Sequence, residues 1–303
     1  MSAQTPVAPV PVAPTVTRRR VAVRHFGGRR RLASRVGINL LALLVFAVMV
    51  FPVYWMVSTA FKPSSEILTF SPTVFPSSAT VANFTDVMNR PYFWRVARNS
   101  VIVVVAVTGL SLVLAFLAAL ALAKFRFYGR RAFIILIIGV QMVPLNALII
   151  PLYILLSRAG QVDKLMGVIV TYLTFVLPFC VWTLRGFIIG VPPDLEEAAM
   201  VDGSTRFGAF FRILLPLVAP GLVATSIFAF IQVWNEFIIA YIVLSSPENQ
   251  TLTVWLAQFT SLRGTQWGPL MAGATLTAIP VVVFFVAVHR RIAFGLTAGA
   301  VRG

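Results

Sequence analysis

Six stretches of this chain run for roughly twenty residues each with few or no charges, long enough for an α-helix to cross a ~30 Å hydrocarbon core. They fall at about 36–61, 96–122, 132–156, 165–188, 217–244 and 268–288. Lipid offers no hydrogen bonds to a backbone, so each run must be helical or part of a closed barrel. The alternation of apolar and polar residues that marks a barrel strand is missing, which leaves helices. Composition agrees: 59% of the 303 residues are hydrophobic and 11% charged, against about 25% charged in soluble domains. The fold class expected is all-α integral membrane with six transmembrane helices, and an even number of spans puts both termini on one side.

The charges choose that side. Eight arginines between Arg18 and Arg35, then Lys124, Arg126, Arg130 and Arg131, then Arg185, Arg206 and Arg212, and finally Arg290, Arg291 and Arg302 all fall on one set of segments. The alternate segments hold only Lys62, Arg90, Arg95, Arg98, Arg158, Lys164 and Arg263. Positively charged loops stay in the cytoplasm, so both termini are expected there. The same clustering accounts for the net charge of +16 without a nucleic-acid partner.

Residues 1–35 are expected to be a disordered Pro- and Arg-rich cytoplasmic tail, because the opening TPVAPVPVAPTV favours extended, unpacked backbone. With the first apolar run the tail imitates a secretory signal. That run is far longer than the ~7–15-residue core of one, so it is read as a retained span. On the outer side the segments 62–95 and 245–267 mix Pro, Ser, Thr, Asn and aromatics. They are either connecting loops with interfacial anchors or a docking surface for an external partner.

Between the fourth and fifth runs lies a polar segment, Pro192 to Pro216, with four of the nine acidic residues: Asp194, Glu196, Glu197 and Asp202. Asp194 with Glu197 three places on has the spacing of a capping box, predicting a helix from Leu195 to Asp202 that stops at Gly203. Ser204 is expected to cap a second helix reaching Pro216. In the fifth run stand Gln232, Trp234, Asn235 and Glu236. A carboxylate and two amides within a span are costly unless they face a wet cavity or a partner. One helical turn would put Gln232 and Glu236 on one face. Two readings of Glu236 stand: a polar clamp between helices or a residue of the substrate pathway; Asn235 is open to both as well. Gln141, Met142 and Asn146, beside Pro144, form a similar polar break in the third run. Prolines at 52, 144, 151, 178, 220 and 280 are expected to kink spans.

Catalytic and metal chemistry is poorly served. The single cysteine, Cys180, lies in an apolar run and reads as a buried, inert thiol. His25 and His289 both stand beside arginines and assemble no site. No G-x-x-x-x-G-K-[ST] phosphate loop occurs, so ATP is not bound by this chain.

Glu197-Ala198-Ala199, three residues, Gly203, nine residues, then Ile213, Leu215 and Pro216 resembles the EAA loop of ABC importer permeases. LAALALAKFRFYGRR, VPLNALIIPLYILLSRAGQVDKLMG, WNEF and the final GLTAGAVRG are similar to the carbohydrate subfamily typified by the second membrane subunit of the maltose transporter. The likeness covers residues 36–303, expected to form the transmembrane domain. It implies a place in a bacterial plasma membrane and a cytoplasmic coupling helix between spans four and five, within 192–216. It further implies a homologous permease partner, two ATPase subunits that carry ATP and magnesium, and an extracellular solute-binding protein. The cargo implied is a di- or oligosaccharide, moved by alternating access, with no cofactor in this chain and no enzyme activity of its own. On that resemblance Glu196, Glu197, Ala198, Ala199, Asp202, Gly203, Ile213, Leu215 and Pro216 serve ATPase coupling. The alternatives are the same architecture importing glycerol phosphate or another polar solute, or a stand-alone carrier or channel.

Overall fold

The computed structural model describes the backbone of residues 28–299 and the side chains of residues 36–288 except Asn146. The arginine-rich segment up to residue 27, His25, and the side chains of His289, Arg290, Arg291 and Arg302 lie outside the described residues. The chain divides into two compact units, Met1–Pro52 and Val53–Gly303, and the boundary falls at the proline inside the first helix, α1 (Gly28–Ala60). In the first unit the side chains of residues 36–52 are exposed and almost entirely apolar, as suits a helix surface facing lipid or protein rather than water.

The second unit is a helical bundle. Short helices α2 (Ser64–Ile67) and α3 (Ala82–Asn89) precede α4 (Phe93–Lys124). Then come α5 (Arg130–Met142), α6 (Leu145–Arg158), α7 (Leu165–Ile189), α8 (Pro193–Val201) and α9 (Arg206–Ala209). A π-helical turn at Phe210–Leu214 leads into α10 (Leu215–Trp234). After α11 (Ile238–Val243) and α12 (Leu252–Ala257), a two-stranded hairpin, β1 (Thr260–Ser261) with β2 (Gly264–Thr265), precedes α13 (Trp267–Gly299).

The core follows from helical periodicity. On α4 the buried residues Val96, Ser100, Val103, Val107, Ser111, Ala115, Ala119 and Leu122 recur every three or four positions. On α7 Val168, Tyr172, Val176, Cys180, Leu184 and Ile188 do the same, and these two helices share the most extensive contact in the bundle. The α10 stripe is Val218, Gly221, Thr225, Ala229 and Val233. Small residues at these contacts let backbones approach, which matters in lipid because apolar burial alone drives little association there. Gly221 lies so close to the Phe187 ring of α7 that a Cβ would overlap it.

Among the described residues, five helical stretches are long and apolar enough to cross a membrane: Val36–Ala60, Phe93–Lys124, Leu165–Ile189, Arg206–Trp234 and Trp267–Val288. A sixth is obtained only by taking α5 and α6 as one broken span, whose axes turn by 105°. The third apolar run is therefore two helices rather than one. Pro144 is the cause: the residue before a proline is pushed out of the α region, and Val143 (ψ 121°) and Pro144 (ψ 127°) are both extended. Of the six span prolines, Pro52, Pro151, Pro178, Pro220 and Pro280 lie inside helices, whereas Pro144 separates two.

Candidate functional site

The polar segment between α7 and α10 folds as a helix and a tight turn. α8 begins at Pro193 with Pro192 as N-cap and no side-chain cap. The capping box expected at Asp194 is thus replaced by a proline at the first helical position, where its fixed φ suits the helix and no N–H is missed. The helix ends at Val201. Gly203, at φ 90°, donates to Met200 O at 3.1 Å, and Ser204 N donates to Ala199 O at 2.9 Å. These two bonds with a left-handed glycine make a Schellman motif. The next cap is Thr205, whose hydroxyl accepts from Gly208 N at 3.1 Å, rather than Ser204, which the closing turn of α8 has already engaged.

The second helix does not stop at Pro216. Leu215 N donates to Phe210 O across the π turn and the helix continues into α10. The widened turn lies just before Pro216, where a regular helix would set the ring against a carbonyl four residues back.

α8 shows Glu197 and Ala198 to the outside, with Ala199 half-buried beneath. Leu195, Met200 and Val201 are exposed too, Val201 at 87%. Asp202 and Gly203 are exposed at the turn, Ile213 and Leu215 are half-buried, and Pro216 is exposed. Glu196 faces inward instead and pairs with Lys124 Nζ, the last residue of α4, at 2.6 Å. Lys124 entered the sequence reading only as a topological charge; nothing in the spacing revealed its partner.

The Gln232–Glu236 group departs from a continuous helix. α10 ends at Trp234 with Asn235 as its C-cap, so Gln232 and Glu236 do not share a helical face. Asn235 Nδ2 donates to Ile231 O at 2.9 Å and its side chain is exposed, as is that of Gln232. Trp234 is buried and its Nε1 donates to Thr277 O of α13 at 3.2 Å. Glu236 is half-buried. Its carboxylate accepts from the Tyr172 hydroxyl of α7, from Ile239 N at 2.9 Å and from Ala240 N at 3.3 Å. It therefore starts α11 and ties that start to α7. Tyr172 was missed because a lone tyrosine on an apolar helix carries no signal. Gln141 and Met142 end α5 and are exposed beside the α5–α6 break, away from any bond to the Glu236 group among the described residues. The side chain of Asn146 lies outside the described residues. Cys180 is buried.

At the other end of the bundle, Asp163 (φ 59°) joins the α6–α7 loop to the 243–249 segment. Its N donates to Val243 O at 2.8 Å, and its carboxylate accepts from Ser246 N at 2.9 Å, Ser246 Oγ at 2.5 Å and Asn249 Nδ2 at 3.1 Å. Burial works against the charged form, but the bonds from Ser246 and Asn249 outweigh it and hold the carboxyl below the usual aspartate range.

Residues 111–297 match the family of binding-protein-dependent transport system inner membrane components. The chain is 44% identical, over 91% of its length and 100% of the relative's, to the diacetylchitobiose uptake system permease protein of Streptomyces coelicolor. It is 35% identical to the trehalose transport system permease protein of Mycobacterium tuberculosis, over 86% of this chain and 95% of the relative. In fold it resembles a chain from a bacterial ABC transporter involved in import of the acidic polysaccharide alginate. That match has a TM-score of 0.73 at 21% identity, over 88% of this chain and 98% of that one. The chain belongs to the family of binding-protein-dependent transport system inner membrane components. It is a permease subunit of an ABC importer in a multi-pass membrane fold, a transporter component and not an enzyme.

Proposed function

We propose that this permease forms half of the channel of a sugar importer and that α8 is the handle by which a separate ATPase subunit drives it. The observation that carries the reading is the outward face of α8. A rigidly terminated short helix presents Glu197, Ala198 and Val201 on a polar segment outside the apolar spans. Small side chains admit a partner's groove, and Glu197 offers that groove a carboxylate. Gly203 makes the turn, while Ile213, Leu215 and Pro216 seat the following helix.

In this reading residues 36–303 are the transmembrane domain, and residues 1–35 a cytoplasmic tail. The basic segments, both termini and α8 face the cytoplasm, following the positive-inside rule. A homologous permease completes the channel, two ATPase subunits bind below, and an extracellular solute-binding protein delivers the cargo. A di- or oligosaccharide is the cargo of choice because the relatives are described as permeases for diacetylchitobiose, trehalose and arabinooligosaccharides. ATP-driven closure of the ATPase pair draws the two coupling helices together and opens the cavity outward; hydrolysis returns it. Gln232 and Asn235, exposed at the end of α10, face the pathway, with Gln141 and Met142 as further candidates. Glu236 and Trp234 hold the break in place.

Reconstitution tests the reading. Proteoliposomes with both permeases, the ATPase and the binding protein take up labelled disaccharide only when ATP is supplied. Uptake by this chain alone, without an ATPase, would sink the proposal.

A further inference from the structure

We infer that α4 is a strut carrying the movement of α8 across the membrane to the loop at its far end, with Lys124 as the positioning residue that joins them. The inference rests on the coupling role proposed for α8. Lys124 Nζ meets Glu196 Oε1 at 2.6 Å, and both side chains are about three-quarters buried, at 25% and 23% exposure. The other ion pair among the described residues, Arg90 with Asp86, spans a single turn of chain. The Lys124–Glu196 pair instead joins residues 72 positions apart in sequence and fastens α8, which also contacts α9 and the π turn, to the end of α4.

The helix so fastened is the stiffest available. Among the five stretches long and apolar enough to cross a membrane, α4 alone contains no internal proline; Pro52, Pro178, Pro220 and Pro280 interrupt the others. Its 32 residues give an unbroken rod of about 48 Å. Proline kinks are where a helix bends under load, so a push on α4 arrives at its other end.

That other end grips the outer loop. Asn99, buried on α4, donates to Glu248 O at 3.0 Å and to Gln250 O at 3.1 Å. Ser100 Oγ accepts from Leu252 N at 2.7 Å, and the Phe93 and Trp255 rings lie 5.5 Å apart. From there Thr253 Oγ1 donates to Glu236 O at 2.9 Å, at the break between α10 and α11. A continuous set of bonds thus runs from Glu196 through α4 to the polar break in the fifth apolar run.

The test uses the whole reconstituted transporter, with Ser245→Cys carrying an environment-sensitive dye beside the gripped loop. Lys124→Glu and Glu196→Lys are made singly, and Lys124→Glu, which lies outside α8, is expected to leave ATPase copurification intact. Each should cut the ATP-induced dye response, and uptake per ATP hydrolysed, about fivefold or more. The charge-swapped double variant, which can re-form the ion pair, restores both to within about twofold. Wild-type responses in the single variants, or no recovery in the swap, would overturn the strut. If the reversed charges do not accumulate in the membrane, Lys124→Met and Glu196→Gln are read by the same measurements. Ala198→Trp separates the two proposals. If it keeps its ATPase, the coupling role of α8 fails and the strut with it. If it sheds the ATPase while Lys124→Glu keeps its dye response, only the strut fails.

Discussion

Glu236 and Asn235 are neighbours with different prospects. Glu236 serves three donors, and Glu236→Leu leaves the Tyr172 hydroxyl and two backbone N–H groups without an acceptor. The expected loss is about 2–4 kcal/mol of stability, read as a lower unfolding temperature in detergent, with uptake falling alongside. Among the described residues Asn235 bonds back to Ile231 of its own helix and is otherwise exposed. Asn235→Leu should therefore cut uptake while leaving the unfolding temperature almost unchanged; normal uptake would mark Asn235 as packing. Asp163 supplies a pH dependence. Its folded carboxyl titrates below the ordinary aspartate value, so its stabilising contribution is complete above about pH 4 and disappears as pH falls through the lowered value. The protection of Ser246 N against hydrogen exchange, taken relative to the intrinsic rate at each pH, should fall on acidification below that range, whereas Asp163→Asn, which has no carboxylate to lose, should show no such fall.

At the scale of elements, α8 is defined by its two ends. A side chain with a Cβ at Gly203 has to adopt φ 90°, at a cost of about 1–2 kcal/mol. Gly203→Val is therefore expected to loosen the α8–α9 turn and to weaken ATPase copurification, while membrane insertion remains. Thr205→Ala removes the cap bond to Gly208 and should cost about 1 kcal/mol, visible as faster exchange at the start of α9. Retention of the ATPase at wild-type level by Gly203→Val would count against the handle. The α5–α6 break has an equally local origin, in two extended residues imposed by one proline.

For the whole molecule, the sidedness of the bundle decides whether these roles are possible at all. Val201→Cys on α8 and Leu262→Cys on the β1–β2 hairpin are both strongly exposed. Cys180 is buried, so it leaves a labelling assay clean. A membrane-impermeant maleimide should label Leu262→Cys in intact cells and Val201→Cys only in inverted vesicles. The opposite pattern would place α8 beyond reach of any ATP-driven partner.

The apolar runs, the basic bias of alternate loops and the EAA spacing all lie in the order of residues. They sufficed for a multi-pass permease, because hydrocarbon thickness and backbone hydrogen bonding leave few ways to place such runs. What the residue order did not determine was how local signals compete. Asp194 lost the helix start to Pro193, Ser204 lost the cap to Thr205, and Pro216 failed to end a helix once a π turn gave its ring room. The fifth run broke at Asn235 although its hydropathy continued, since Glu236 is held by Tyr172, 64 positions earlier in the chain. Polar partners of that kind are chosen by packing, and no local period records them. Lys124 was legible as a charge and illegible as a partner for the same reason: only the folded bundle brings the end of α4 against α8.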